Sequence, residues 1–111
     1  MTKETAKNLM EIVQTAYNNN IVVTSKWKRV NRCQAWYTGE GSCKVLRSYE
    51  TVVALYDEME NVLYSYGRYS MTTYQHIRKF RDLMATENGI IPWDVQEVNL
   101  ELVNNFKGRK G

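Results

Sequence analysis

The amino-acid sequence predicts an α+β fold: an antiparallel sheet of about five strands, the usual sheet size, made of two hairpins and covered by two helices. A short C-terminal helix or strand completes it. Three observations carry this. Apolar residues recur at helical spacing over residues 2–18 and again over about 72–85. Between them, β-branched and aromatic runs flank two turn-forming segments, Thr38-Gly-Glu-Gly-Ser42 and Asp57-Glu-Met-Glu-Asn61. The runs beside the second turn are apolar on both faces, which marks interior strands covered by helix on at least one side.

In the first helix Leu9, Ile12, Val13 and Ala16 form the stripe, flanked by Met10 and Tyr17. Thr2 can cap it, with Thr5 as an alternative start, and Asn18-Asn19-Asn20 stops it, since Asn tolerates a left-handed backbone. Residues 21–28, Ile-Val-Val-Thr-Ser-Lys-Trp-Lys, suit a strand. Residues 32–37 and 43–49 form the first hairpin. Centring its turn on Glu40 sets Tyr37 opposite Cys43 and Cys33 opposite Arg47. The second hairpin joins 51–56 to 62–66; centring its turn on Met59 pairs Tyr56 with Val62, Ala54 with Tyr64 and Val52 with Tyr66. Thr72 or Thr73 caps the second helix, whose inner stripe is Ile77, Phe80 and Met84 with His76 and Leu83 beside it. Gln75, Arg78, Lys79 and Asp82 face outward, and Asn88-Gly89 ends the helix. Ile90, Ile91 and Pro92 form a connector packed on the core. Asp94 can then cap a helix through Val95, Val98, Leu102 and Phe106, or a strand can run through 98–103.

A chain of 111 residues suits one domain spanning 1–111, with 107–111 as a frayed basic tail. With 43% hydrophobic and 24% charged residues, the composition is that of a globular protein, not a disordered one. No apolar run reaches the roughly 20 residues of a membrane span, and the polar N-terminal segment lacks a secretory apolar region. The expectation is a cytoplasmic protein. Cys33 and Cys43 would lie about 13 Å apart in the hairpin register, beyond the roughly 7 Å that a disulfide spans, so both are read as free thiols. Two cysteines and one histidine are too few for a structural zinc site. No metal or cofactor is expected.

His76, the sole histidine, is the first suspect for acid–base chemistry, with Cys33, Cys43 and Tyr69 as candidate partners. Its place beside an apolar stripe favours a half-buried histidine hydrogen-bonded to the sheet or to a tyrosine. The cysteines read as small core hydrophobes. Asp57, Glu58 and Glu60 tip a hairpin without the ligand number or glycine of a calcium loop. The sequence has no Gly-x-Gly-x-x-Gly, phosphate-binding loop or Gly-x-Ser-x-Gly, so no enzyme is expected. The net charge of +3 is mildly basic. Lys26, Lys28, Arg29 and Arg32 cluster with Trp27; Arg78 and Lys79 stripe the second helix; Lys107, Arg109 and Lys110 crowd the C-terminus. Basic residues interleaved with aromatics suit phosphate contact and base stacking, and these ten residues are the candidate partner-binding set.

The run Ser48-Tyr-Glu-Thr-Val-Val-Ala-Leu-Tyr-Asp57, then Leu63-Tyr64, Tyr69-Ser-Met-Thr-Thr-Tyr-Gln-His76 and Phe80, resembles a pattern in a functionally undescribed family of small phage and plasmid proteins. The resemblance covers roughly residues 45–85. It implies a mobile-element origin and no reaction; Thr72, Thr73, His76 and Phe80 match as fold-forming positions. Phage proteins of this size without catalytic motifs are often inhibitors of host defence. The expectation is therefore a non-enzymatic protein that binds and inhibits a host protein or ribonucleoprotein, most concretely an anti-CRISPR protein blocking a Cas nuclease. The alternative is a small nucleic-acid-binding accessory protein; the third is a small enzyme using His76.

Overall fold

The computed structural model describes residues 1–21, 26–39, 41–67 and 69–101. The elements are α1 (Lys3–Asn18), β1 (Lys28–Arg29), β2 (Ala35–Thr38), β3 (Cys43–Ser48), β4 (Thr51–Asp57), β5 (Val62–Ser65), α2 (Met71–Glu87), a 3-10 turn (Pro92–Asp94) and β6 (Gln96–Asn99). Of the predicted strand over 21–28, residues 22–25 lie outside the described residues, as does the tail, and of the rest Lys28 alone is in a strand, because pairing with β2 begins only there. The strands form one six-stranded sheet in chain order, β1 to β6. Neighbours from β1 to β5 are antiparallel, whereas β6 runs parallel to β5 after the chain crosses over through α2. The fold is α+β as predicted, with six strands among the described residues.

Thr2 caps α1, its hydroxyl accepting from the Thr5 N–H at 3.1 Å. The buried face is Ala6, Met10, Val13 and Ala16, while Ile12 is 56% exposed. The inner stripe thus follows the i, i+4, i+7 row from Ala6, rotated from the predicted one that began at Leu9. Ser70, not Thr72 or Thr73, caps α2, accepting from the Thr73 N–H at 3.2 Å. The buried stripe of α2 holds Ile77, Phe80 and Met84 as predicted, joined by His76 and Ala85.

Both hairpin registers differ from the prediction. In the first, Tyr37 faces Leu46 and Trp36 faces Arg47. Gly39 and Gly41 take positive φ in a longer connection, and a Cβ on Gly39 would lie 2.1 Å from the Cys43 carbonyl oxygen. Cys33 falls in the β1–β2 turn, outside the ladder, and both cysteines are free thiols. In the second hairpin Asp57 faces Val62 and Tyr56 faces Leu63. One residue of shift sends each side chain to the other face, so Tyr56 and Leu63 share a core cluster. The C-terminal segment is a strand because β5 takes up its backbone donors: Gln96 N–H bonds Asn61 O and Leu100 N–H bonds Ser65 O. Ile90 packs on the core; Ile91 is 50% exposed.

The helices cover opposite faces of the sheet. On one, α1 packs Ala6, Met10 and Val13 on Val45, Val52, Leu55, Val62 and Tyr64. On the other, Ile77, Phe80 and Met84 of α2 pack on Leu46, Val53, Ala54, Tyr56 and Leu63. Leu46 pairs with Ala54 and Arg47 with Val52, leaving Val53 as the extra residue of a β-bulge. Val53 and Ala54 consequently both belong to the α2 side.

Candidate functional site

The β1–β2 turn and the first half of α2 border an open cavity of about 560 Å³ lined by Asn31, Arg32, Cys33, Gln75, His76 and Lys79. Local chemistry fixes both walls. Val30 is fully buried, its N–H bonds Ala35 O at 2.8 Å, and Cys33 N–H bonds Val30 O at 3.0 Å. Asn31 takes φ 48, which Asn tolerates. Arg29 braces the turn, its Nε donating to Cys33 O at 2.8 Å. This leaves Arg32 exposed. Across the cavity, Gln75 and Lys79 lie one turn apart on α2, with His76 between them.

Two cationic side chains and two amides thus line the cavity, with no carboxylate among the lining residues. Such a wall suits an anion with several acceptor oxygens. His76 is only 5% exposed, and its Nδ1 lies 2.8 Å from Ser48 Oγ. Ser48 is itself 3% exposed and lies 3.4 Å from the Thr73 hydroxyl. Burial, then the Lys79 charge, holds His76 below its ordinary pKa, so the ring is neutral at pH 7. The ring of Tyr49 stands beside it, centroid to centroid 5.6 Å.

A second cationic feature lies on the α1 side. Register sets Arg29 opposite Trp36 and Trp36 opposite Arg47. The Arg47 guanidinium carbon lies 4.1 Å from the Tyr17 ring centroid, 4.6 Å from Trp27 and 4.5 Å from Trp36. Arg47 is 8% exposed; its Nη1 donates to Tyr49 O and to Tyr17 Oη, while its Nε is buried without a partner. Burial lowers its pKa, and the three rings supply the attraction that an acidic partner usually would.

The predicted basic residues therefore part company. Arg32 and Lys79 meet in the cavity. Trp27 is half-buried against Tyr17 and Arg47. Arg29 stays exposed above Trp36, Lys26 and Lys28 are exposed at the sheet edge, and Arg78 is exposed on α2. Lys107, Arg109 and Lys110 lie outside the described residues. Sequence reasoning missed Asn31, Gln75, Trp36, Arg47 and Tyr49. Nothing in the sequence singled them out: even Arg47 shares its strand with a second cation, Lys44.

Residues 6–94 match the model of a family of unknown function, DUF8033. The chain belongs to that family. The DUF8033 match begins in α1 and ends in the 3-10 turn, so it takes in every cavity residue and the whole Arg47 cage. No curated protein and no solved structure matches the chain. Among the described residues no three His, Cys, Asp or Glu side chains could hold a metal ion, and no helix is long and apolar enough to cross a membrane.

Proposed function

We propose that this chain is a non-enzymatic binding protein of a phage or other mobile element that inhibits a host defence macromolecule, most concretely a Cas nuclease. The observation that carries the binding reading is the basic cavity: Arg32 and Lys79, far apart in sequence, line one opening that no carboxylate lines among the described residues. An anionic group on the partner seats there, and the exposed Lys26, Lys28, Arg29 and Arg78 steer it by charge. The Ser48–His76 pair supports binding over catalysis, because both side chains are buried and spend their hydrogen bond on each other. The mobile-element origin rests on the Tyr-Ser-x-Thr-Thr-x-x-His-x-x-x-Phe pattern.

The test is cleavage by a purified Cas nuclease with and without the chain. Stoichiometric inhibition by wild type, lost in the double variant Arg32→Glu/Lys79→Glu, is the expected result. Inhibition that survives charge reversal removes the cavity from the mechanism. Undiminished cleavage, with no defence nuclease retained from host lysate, removes the inhibitor reading. A second reading, direct nucleic-acid binding, is favoured by the exposed Arg29 lying 5.7 Å over the Trp36 ring. Gel shifts across a salt series address it, since each phosphate contact steepens the salt dependence.

A further inference from the structure

We infer that the basic cavity and Tyr49 together form a nucleotide site, with a phosphate held by Arg32 and Lys79 and a base stacked on the Tyr49 ring. This deepens the proposed function and rests on its reading of the cavity as an anion site.

The cavity, about 560 Å³, falls within the range that takes a small organic ligand. Its two cations supply charge-assisted bonds to phosphate oxygens. Its two amides, Asn31 and Gln75, each offer a donor and an acceptor, the pairing that sugar hydroxyls and base edges present. A bare phosphate needs the cations alone, whereas the amides point to a larger, mixed ligand.

Tyr49 supplies the independent observation. It is the first residue of the two-residue connection between β3 and β4, and it takes φ 53. A bulky residue there is a genuine outlier; Gly, Asn or Asp is ordinary. The conformation is held from both sides, since Tyr49 N–H bonds Gln34 O at 2.9 Å and Tyr49 O accepts from Arg47. The ring gains little core burial in return, being 51% exposed. It stands beside His76, a lining residue of the cavity, the two ring centroids 5.6 Å apart and the planes tilted by 48°. A strained, exposed aromatic beside a cationic cavity is the arrangement that base stacking over a bound phosphate requires.

The positive φ makes the test clean. Tyr49→Asn removes the ring and suits the backbone, so its melting temperature stays at or above that of wild type. Binding is measured on the full chain with AMP and inorganic phosphate by calorimetry, and with a labelled dA12 strand by anisotropy. Wild type binds AMP more tightly than phosphate. Tyr49→Asn weakens AMP and dA12 by about 5- to 100-fold and leaves phosphate unchanged. Arg32→Gln/Lys79→Gln abolishes binding of all three probes.

Two sources share this chemistry. AMP binding as tight as dA12 assigns the site to free nucleotides; dA12 binding more than tenfold tighter assigns it to a strand, including one carried in a ribonucleoprotein. Wild type that binds neither AMP nor dA12, or a folded Tyr49→Asn that binds both as wild type does, overturns the proposal. Nuclease inhibition without nucleotide binding overturns the nucleotide site alone. Nucleotide binding without any host target overturns the inhibitor reading alone.

Discussion

His76 sets a pH dependence on the molecule. Its folded pKa is depressed by burial and by Lys79, whereas the unfolded chain titrates near 6.5, as a rough reference. Protonation therefore favours the unfolded chain. The contribution is fully present above pH ~6.5 and is lost as pH falls from there through the depressed folded value. Thermal melts of wild type should hold steady between pH 7 and 8 and drop below 6.5, and His76→Gln should flatten that drop. Arg47 offers a second measurement. Arg47→Ala empties the space between three rings and should cost on the order of 2–3 kcal/mol in urea unfolding. Arg47→Met keeps the stem and removes the orphan Nε, so it should cost less. A Met variant as unstable as the Ala one would show that the charge itself holds the rings. Little of this was legible in the sequence. His76 was readable as a half-buried histidine hydrogen-bonded to the sheet, because its place beside the α2 stripe is periodic; the structure buries it further. Arg47 was not, because its three ring partners come from α1, the β1 edge and β2, which only the fold assembles.

Periodicity located both helices to within two residues, since a 3.6-residue repeat tolerates an uncertain end. Strands are less forgiving. The second hairpin came out one residue off and the first three, because turn conformation fixes register and the Gly39–Gly41 connection is not the symmetric turn that the residues suggest. The join between α1 and the sheet was invisible altogether. β4 begins at Thr51, but β5 ends at Ser65, opposite Ala54. Past that point the Gln14 side chain takes the place of a strand: its Oε1 accepts from Val52 N–H at 2.7 Å and its Nε2 donates to Glu50 O at 3.1 Å. Gln14→Leu leaves both backbone groups short of a protein partner and should cost about 1–3 kcal/mol, with a lowered denaturant midpoint and an unchanged slope. An unchanged midpoint would mean that water replaces the amide at no cost.

For the molecule as a whole, the α+β class was legible because two helical and several strand-like segments leave few ways to bury their apolar faces. Strands apolar on both sides predicted helix on at least one face; the structure places one helix on each, with Leu55 in the α1 cluster and Tyr56 in the α2 cluster the clearest pair. The cavity was not legible, because it needs a turn near residue 32 to meet a helix near residue 76. Nor was the parallel pairing of β6, which depends on where α2 returns the chain.

That last strand bears on the order of assembly. Short connections join β1 to β5, whereas β6 reaches β5 only across the connection from Ser65 to Gln96, α2 included; closing longer loops costs more chain entropy, so β6 is expected to dock last. Gln96 and Glu97 are exposed, so within β6 Val98 alone packs on a core cluster, while Val95 and Leu100 anchor its two ends. Amide hydrogen exchange should find β6 opening first, while β4, walled by both helices, exchanges only on global unfolding. Equal protection of β4 and β6 would instead mean that the meander and its parallel strand fold as one cooperative unit.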